Sequence, residues 1–340
     1  MYKVIVAITT YNLENYISEA LDSVICQKTN FNFLIRIADD CSTDRTPSIL
    51  KEYAEKYPDK IEVLYSDKNL GSLANSNRLL DRIDCEYFCF LDGDDYWVTT
   101  TRLQEAVDFL DKNNDYTIYG GNTIFQKNGI LSGRYLKKNI KNTYTINDYI
   151  NHNVGLVHTS ALVLRNVVYK HGIPQSYKDN ECTELNCAYR GELIRYIEHL
   201  RVGKMYIANK DFSVYRIHEK GIWQGKSQLR RDIENIISDL VFCQLFPECS
   251  TRFSISYVNS ISLFGEKYLS RYNILNQTEK DEIKKLLRVI DKMDCNIRSQ
   301  QSRTYTVLDN IVLVLYKFNR RIAIKLRTLL VLRECWYRFI

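Results

Sequence analysis

Chain breakers are scarce in this sequence: four prolines and 13 glycines in 340 residues. That excludes a low-complexity or linker-rich architecture. No apolar run approaches the ~20 residues that a bilayer-spanning helix needs, so no segment reads as a transmembrane helix. The ten cysteines contain no CxxC pair and no metal-ligand spacing; Cys85 and Cys89 lie four apart at the start of one apolar stretch, as packing residues do. The opening "MYKVIVAITTYN" lacks the basic region and long apolar run of an export signal and reads as a strand. Reduced thiols in the cytoplasm are the expectation that follows. Basic charge is also missing from most of the chain. The net charge is +6, and residues 303–340, with eight basic and two acidic side chains, carry all of it. A neutral body without interleaved basic and aromatic residues argues against a nucleic-acid partner. What is present is ordinary globular material, 45% hydrophobic and 26% charged, enough for a sizeable core. The length suggests two domains, or one large domain with an appendage.

The first 112 residues alternate between two periods. "KVIVAIT", "FLIRIAD", "IEVLYS" and "YFCFLD" are short apolar runs of strand length. Between them lie helical stretches: "NYISEALDSVICQ", with Tyr16, Ile17, Ala20, Leu21, Val24 and Ile25 on one face; "TPSILKEYAEKY", with Pro47 in its first turn; and "SLANSNRLLDRI". "RLQEAVDFLDKN" follows the fourth strand. Repeated strand–helix units imply right-handed crossovers and an α/β, doubly wound, mostly parallel sheet. From 115 to 180 the period is less regular. "YTIYGGNTIFQKNGILSGRYL" reads as strand, turn, strand, and "HTSALVLRN" as a further strand. A helix over 184–200, then "KMYIA" and "FSVYRIH" as two short strands, complete this part. Beyond Lys226 the pattern is mostly helical.

Ligands of such sheets bind at the carboxyl ends of the strands. Three polar clusters fall at those ends: "TTYN", "DDCSTD" and "DGDD". In the last, Asp92 and Asp94 flank a glycine that permits a sharp bend, with Asp95 beside them. Two carboxylates converging on one point suit a hard divalent cation, Mn²⁺ or Mg²⁺. The alternative is a surface turn with an aspartate capping the helix at Thr101, since Asp-Gly is ordinary turn chemistry.

The ordered set "VIVAITTYNLENYISEALDSV", "IRIADDCSTDRT", "NLGSLANSNRLL", "YFCFLDGDDYW", "GELIRYIEHLRVGKMYI" and "FSVYRIH" resembles the family 2 glycosyltransferases of the GT-A fold, of the bacterial surface-polysaccharide type. The resemblance covers about two-thirds of the chain. It implies a GT-A domain over 1–225, with a nucleotide-sugar half to about 120 and an acceptor half over 121–225, followed by a helical region over 226–340. It further implies that Thr9, Tyr11 and Asn12 line a nucleotide pocket, with Tyr11 against the base. Asp39 would accept from a pyrimidine ring N–H, favouring uridine or thymidine donors, with Asp40, Ser42 and Asp44 shaping that loop. Asn77 is placed in the pocket, Asp92 near ribose and metal, and Asp94 on the metal itself. Two departures stand out: Cys41 occupies a position where the family usually has glycine, and Ser76 one where it usually has arginine, leaving Arg78 as a possible substitute.

Most members of the family invert the anomeric centre, with a carboxylate taking the acceptor proton. The resemblance places that base at Glu192, ahead of the rivals Glu184 and Glu181; on its own a lone helix acid is more often merely solvated. Arg216 and His218 alternate onto one face of a strand, where Arg216 would meet the diphosphate and His218 metal or phosphate. Trp97 and Trp223 are equally open to sugar stacking and to the core. From Leu308 onward, Leu308, Val312, Leu315, Phe318, Ile322, Leu326 and Leu329 recur at helical spacing with basic residues between. That pattern fits a basic amphipathic helix on an anionic membrane surface, so the enzyme is expected in the cytoplasm, at the inner face of the membrane. A helix packed on the body, or a subunit contact, would give the same pattern. The function expected is transfer from a nucleotide sugar, most often UDP-linked, to a hydroxyl of a growing surface glycan or lipid-linked acceptor. A sugar-1-phosphate nucleotidyltransferase would need a glycine-rich basic loop that "TTYNLEN" is not. A non-catalytic nucleotide- or glycan-binding module would not need the carboxylates.

Overall fold

A computed structural model of the chain describes residues 2–81, 83–136, 141–151, 157–178, 190–219, 221 and 224–300. Two compact units are present, 1–224 and 225–340. The first runs β1 (Val4–Thr10), α1 (Ile17–Ile25), β2 (Phe33–Asp39), α2 (Thr46–Lys56), β3 (Ile61–Leu64), α3 (Ser72–Leu80), β4 (Tyr87–Asp92), β5 (Tyr96–Trp97), α4 (Arg102–Lys112), β6 (Tyr116–Lys127), β7 (Ile130–Arg134), β8 (Thr143–Tyr144), α5 (Ile146–Ile150), β9 (Leu162–Arg165), α6 (Gln175–Lys178), α7 (Gly191–Val202) and β10 (Lys204–Ile217). The second holds α8 (Gln228–Leu245), α9 (Ser250–Lys267) and α10 (Gln277–Gln300) among its described residues.

Among the described residues, ten strands form one sheet in the order β3-β2-β1-β4-β9-β6-β10-β5, with β7 on β6 and β8 on β10. The four strands of the alternating region are mutually parallel. β9 then inserts antiparallel between β4 and β6, and β6 and β10 resume a parallel pairing. β1 is buried along almost its whole length, paired on one edge with β2 and on the other with β4. α1 turns Ile17, Ala20, Leu21 and Val24 inward, the face set by its period.

Two expectations change. "KMYIA" and "FSVYRIH" are one continuous strand, β10, which passes through "NKD" with register shifts beside Asp211. The expected helix over 184–200 starts at Gly191 in the described residues; residues 179–189 lie outside them. In the second unit, α8 buries Ile233, Ile236, Ile237, Val241 and Phe242. It also buries Glu234, which Lys226 and Arg230 neutralise at 2.7 and 3.0 Å. Among the described residues, no helix is long and apolar enough to cross a membrane. Residues 303–340 lie outside the described set.

Candidate active site

Strand register assembles the site. Thr10 lies opposite Asp39 across β1–β2, and Thr9 opposite Asp92 across β1–β4. The three clusters therefore end on one sheet edge, on adjacent strands. The loops after β1 and β2 are joined by hydrogen bonds in both directions. Asn12 N–H donates to Ser42 Oγ at 2.8 Å, and Thr43 N–H donates to Asn12 Oδ1 at 2.8 Å. Leu13 N–H donates to Thr46 Oγ1 at 2.9 Å, and Glu14 N–H to Asp44 at 3.1 Å. Burial opposes ionisation of Asp44, but hydrogen bonds from Thr46 and Glu14 hold its carboxyl below the usual range. Tyr11 keeps 46% of its surface exposed. Asp39 is buried and accepts from the Ser42 hydroxyl at 2.6 Å and its N–H at 3.0 Å; each oxygen keeps a lone pair. Cys41 sits at φ 63°, the left-handed region that a side chain disfavours. The departure from glycine noted in the sequence is thus a strained position.

Asp40 reaches the other way and accepts from Leu70 and Gly71 N–H at 2.7 and 2.9 Å, fixing the entry to α3. Asn77 is buried in that helix. Arg78 directs its guanidinium to the carbonyls of Tyr65 and Asp39 and to the Asn75 side chain, at 2.6, 3.4 and 3.1 Å. It braces the end of β2 instead of projecting beyond it.

"DGDD" is a tight turn closed by Asp95 N–H to the Asp92 carbonyl at 2.9 Å. Gly93 is required by the neighbouring backbone: its N–H donates to the Thr9 carbonyl at 3.0 Å, and a Cβ would lie 3.0 Å from that same oxygen. The three carboxylates then separate into different settings. Asp94 Oδ2 lies 3.0 Å from His218 Nε2, and its carbonyl accepts from Arg216 at 2.6 Å. Arg216 also donates to Gln126 at 3.2 Å, stacks 4.4 Å above Tyr96 and pairs with Glu19. Asp95 is fully buried; it accepts from the Ser160 hydroxyl at 2.6 Å and from Arg216 N–H at 3.1 Å. Burial, then the charges of Asp94 and Asp92, push its carboxyl well above the ordinary range. Asp92, at the end of β4, is pushed up to about 7 by burial and then by Asp94 and Glu192, against the pull of Arg195.

Buried carboxylates that neighbouring charge raises further, as at Asp92 and Asp95, are the setting a divalent cation relieves, so the oxygen-rich turn fits Mn²⁺ or Mg²⁺. Two groupings offer ligand atoms. Asp92, Asp95 and His158 place theirs within 4.8 Å of one another. Asp95 there is already anchored through both oxygens, and His158 Nδ1 already accepts from Ser160 N–H at 3.3 Å. Asp94, on the same turn as Asp92, and His218 are an alternative pair outside that 4.8 Å grouping. His218 Nδ1 is buried with no partner among the described residues.

Glu192 stands exposed in the first turn of α7, where an acid complements the helix dipole. Its charge acts on Asp92 and on Tyr135, so it overlooks the same space. Arg195, one turn along, is buried over the Phe90 ring at 4.0 Å and supplies countercharge to both acids. Glu184, Glu181 and Trp223 lie outside the described residues. Trp97 is core: it is buried, donates from Nε1 to the Ser160 carbonyl at 2.9 Å, and carries the Arg102 guanidinium 3.9 Å above its ring. Sequence reasoning missed Asp95 as an anchor, His158, Ser160 and Arg195. The only available signal was an arginine on the apolar face of "GELIRYI".

Residues 5–172 match the sequence profile described as glycosyl transferase family 2. The first unit belongs to glycosyl transferase family 2. An uncharacterised protein of Mycobacterium tuberculosis is 29% identical over 223 residues, which is 65% of this chain and 61% of that protein. The chain thus spans less than two-thirds of that relative's length. The dTDP-rhamnosyl transferase RfbG of Shigella flexneri is 40% identical over 119 residues, 34% of this chain and 40% of the relative. Among solved structures, Staphylococcus aureus TarS 1–349 in complex with UDP-GlcNAc superposes with a TM-score of 0.57 at 18% identity, covering 86% of this chain and 83% of that one. That likeness is one of fold, and the fold of the family 2 unit is GT-A.

Proposed function

We propose that the family 2 unit transfers a sugar from a pyrimidine-nucleotide donor, of the UDP or dTDP class, to a hydroxyl of a surface glycan or lipid-linked acceptor. The observation that carries this is the register: Asp39 and Asp92 flank β1 one residue apart in register, so a base-binding acid and a diphosphate-side acid share one edge. The loop network holds Asn12 and Ser42 in place before any donor arrives. Tyr11 offers an exposed ring to the base, and Asp39 keeps lone pairs for a ring N–H. Relatives whose names specify dTDP-rhamnosyl transfer, or whose crystals hold UDP-GlcNAc, support a pyrimidine donor.

Asp94, His218 and Asp92 would hold the divalent ion, with Asp95 fixing the turn beneath them. Such an ion, when bound, neutralises the departing diphosphate. Arg216 sets the Asp94 backbone, and release from Glu19 would free it to meet phosphate. Glu192, exposed across from Asp92, takes the acceptor proton as the hydroxyl attacks C1, which inverts the anomeric centre. Residues 303–340, with their excess of +6, would hold the enzyme against an anionic membrane surface near lipid-linked acceptors.

The test is a panel of UDP- and dTDP-sugars, assayed for hydrolysis and transfer with Mn²⁺ or Mg²⁺, with and without chelator. Asp94→Asn should keep the fold and abolish turnover. Full activity in chelator would sink the metal-dependent part. Nucleotide binding without turnover of any donor would favour a binding module instead.

A further inference from the structure

Among the described residues, His158 is a site group used neither by the Asp94–His218 pair nor by the nucleotide loops, although its ring lies beside Asp92 and Asp95. It caps the 3-10 turn Thr159–Ala161, which packs over the carboxyl end of β4 and against β10. Ser160 holds it rigidly. The Ser160 N–H donates to His158 Nδ1 at 3.3 Å, its hydroxyl is fixed on Asp95, and its carbonyl accepts from Trp97 and Arg102 at 2.9 and 2.6 Å. Because a backbone N–H can only donate, Nδ1 is the acceptor and the ring proton sits on Nε2. No described residue hydrogen-bonds Nε2, and the side chain keeps 14% of its surface accessible.

The surroundings select the chemistry. Tyr215 and Tyr135 flank the imidazole at ring distances of 4.7 and 5.5 Å. A ring nitrogen lies within 4.8 Å of an Asp92 carboxylate oxygen. Tyr135 is 39% exposed, and its hydroxyl bonds no described residue. Its phenol is raised by burial and then by the charge of Glu192. A neutral N–H donor among three aspartates does not recruit an anion. It suits a polyol, whose hydroxyls accept from N–H and whose C–H faces stack on aromatic rings.

We propose that His158, with Tyr135 beside it, contacts the sugar ring of the nucleotide-sugar donor and determines which sugar is accepted. The proposal rests on the glycosyltransferase reading above and deepens it. The donor sugar is chosen over the acceptor because His158 lies at Asp92, where the diphosphate ends, whereas Glu192 faces the incoming hydroxyl.

The experiment compares UDP alone with UDP-sugars that the wild-type protein binds, by calorimetry, and then measures kcat/KM for pairs of C4-epimeric donors. His158→Ala should leave UDP affinity unchanged, weaken UDP-sugar binding roughly 3–10-fold, the scale of one lost hydrogen bond, and narrow the discrimination between epimers. His158→Gln, which restores an N–H donor, should recover part of both. Tyr135→Phe should reduce discrimination without lowering the melting temperature, and it carries the test if His158→Ala fails to fold. Equal losses for UDP and UDP-sugar, unchanged epimer preference in both folded variants, or a change confined to the acceptor KM would overturn the proposal while leaving the transferase reading intact. If the wild-type protein binds and turns over no sugar nucleotide, both fall together.

Discussion

Replacing Asp92 with asparagine should make the metal-free protein more stable at alkaline pH while removing its response to metal. In the folded, metal-free site the Asp92 carboxyl is raised from its ordinary 3.8 to about 7, by burial first and by Asp94 and Glu192 next. Between those two values the folded state binds a proton that the unfolded state has lost. Asp92 therefore contributes stability below about pH 4 that declines as pH rises and is gone above about 7. At ~1.4 kcal/mol per pKa unit the gap corresponds to about 4 kcal/mol. Asp92 retains some accessible surface, and solvent screening brings the expected effect to about 2 kcal/mol. Asparagine keeps the shape and carries no charge, so at pH 8 it should be the more stable side chain, by about 4–8 °C in melting temperature for a domain of this size. The assay is thermal denaturation in chelator from pH 5 to 8, repeated with Mn²⁺. Wild type should lose stability across that range and regain it with Mn²⁺. The variant should show a shallower slope, the remainder belonging to Asp95, and little gain from the ion. A wild-type protein that becomes steadily more stable up to pH 8 in chelator would refute the argument, as would a variant that is less stable there.

Cys41→Gly should stabilise the fold by ~1 kcal/mol, since only glycine adopts φ 63° without strain; chemical denaturation would register it as a higher midpoint at unchanged slope. Glu192→Gln should reduce transfer ~10²-fold or more, with UDP affinity retained, if Glu192 is the base proposed for the acceptor proton; the Glu184→Gln variant, run beside it, separates the two carboxylates. Neutralising Arg320, Arg321, Lys325 and Arg327 should release the protein from anionic vesicles in co-sedimentation while sparing transfer to a soluble acceptor. Wild-type binding should fall with salt.

The parallel half of the sheet was legible because each strand is a short apolar run bounded by polar turns, and each helix repeats its apolar face at 3.6 residues. β10 was not. Its middle, "NKD", has exposed positions that read as a loop, yet the strand passes through by shifting register on β6. The two-residue β5 and the five-residue α5 are too short to leave any period. Within the site, the placement of Asp92 and Asp94 at a strand end could be read because acids on a glycine turn carry local information. Asp95 looked like a third member of that cluster. It is an anchor because Ser160, 65 residues away, and the Arg216 amide, 121 away, converge on it. Contacts at that separation leave no mark in spacing. Trp97 shows the same limit: one residue of β5 pairing with Ser213 decides that its ring faces inward.

Ser160 gives the site a single point of shared support. Its N–H, hydroxyl and carbonyl together bind His158, Asp95, Trp97 and Arg102. Substitutions at those four positions should therefore not combine additively, since each alters a partner that the other three lean on. A lineage that changes its donor sugar at His158 does so against a background set by the core arginine and tryptophan, and the same exchange placed in a relative with a different residue at 160 need not have the same effect. Donor preference in this architecture is then inherited as a block: mutational scans taken one position at a time will undercount the routes between specificities, and libraries that vary 95, 97, 102, 158 and 160 together will find combinations whose single steps all look unfavourable.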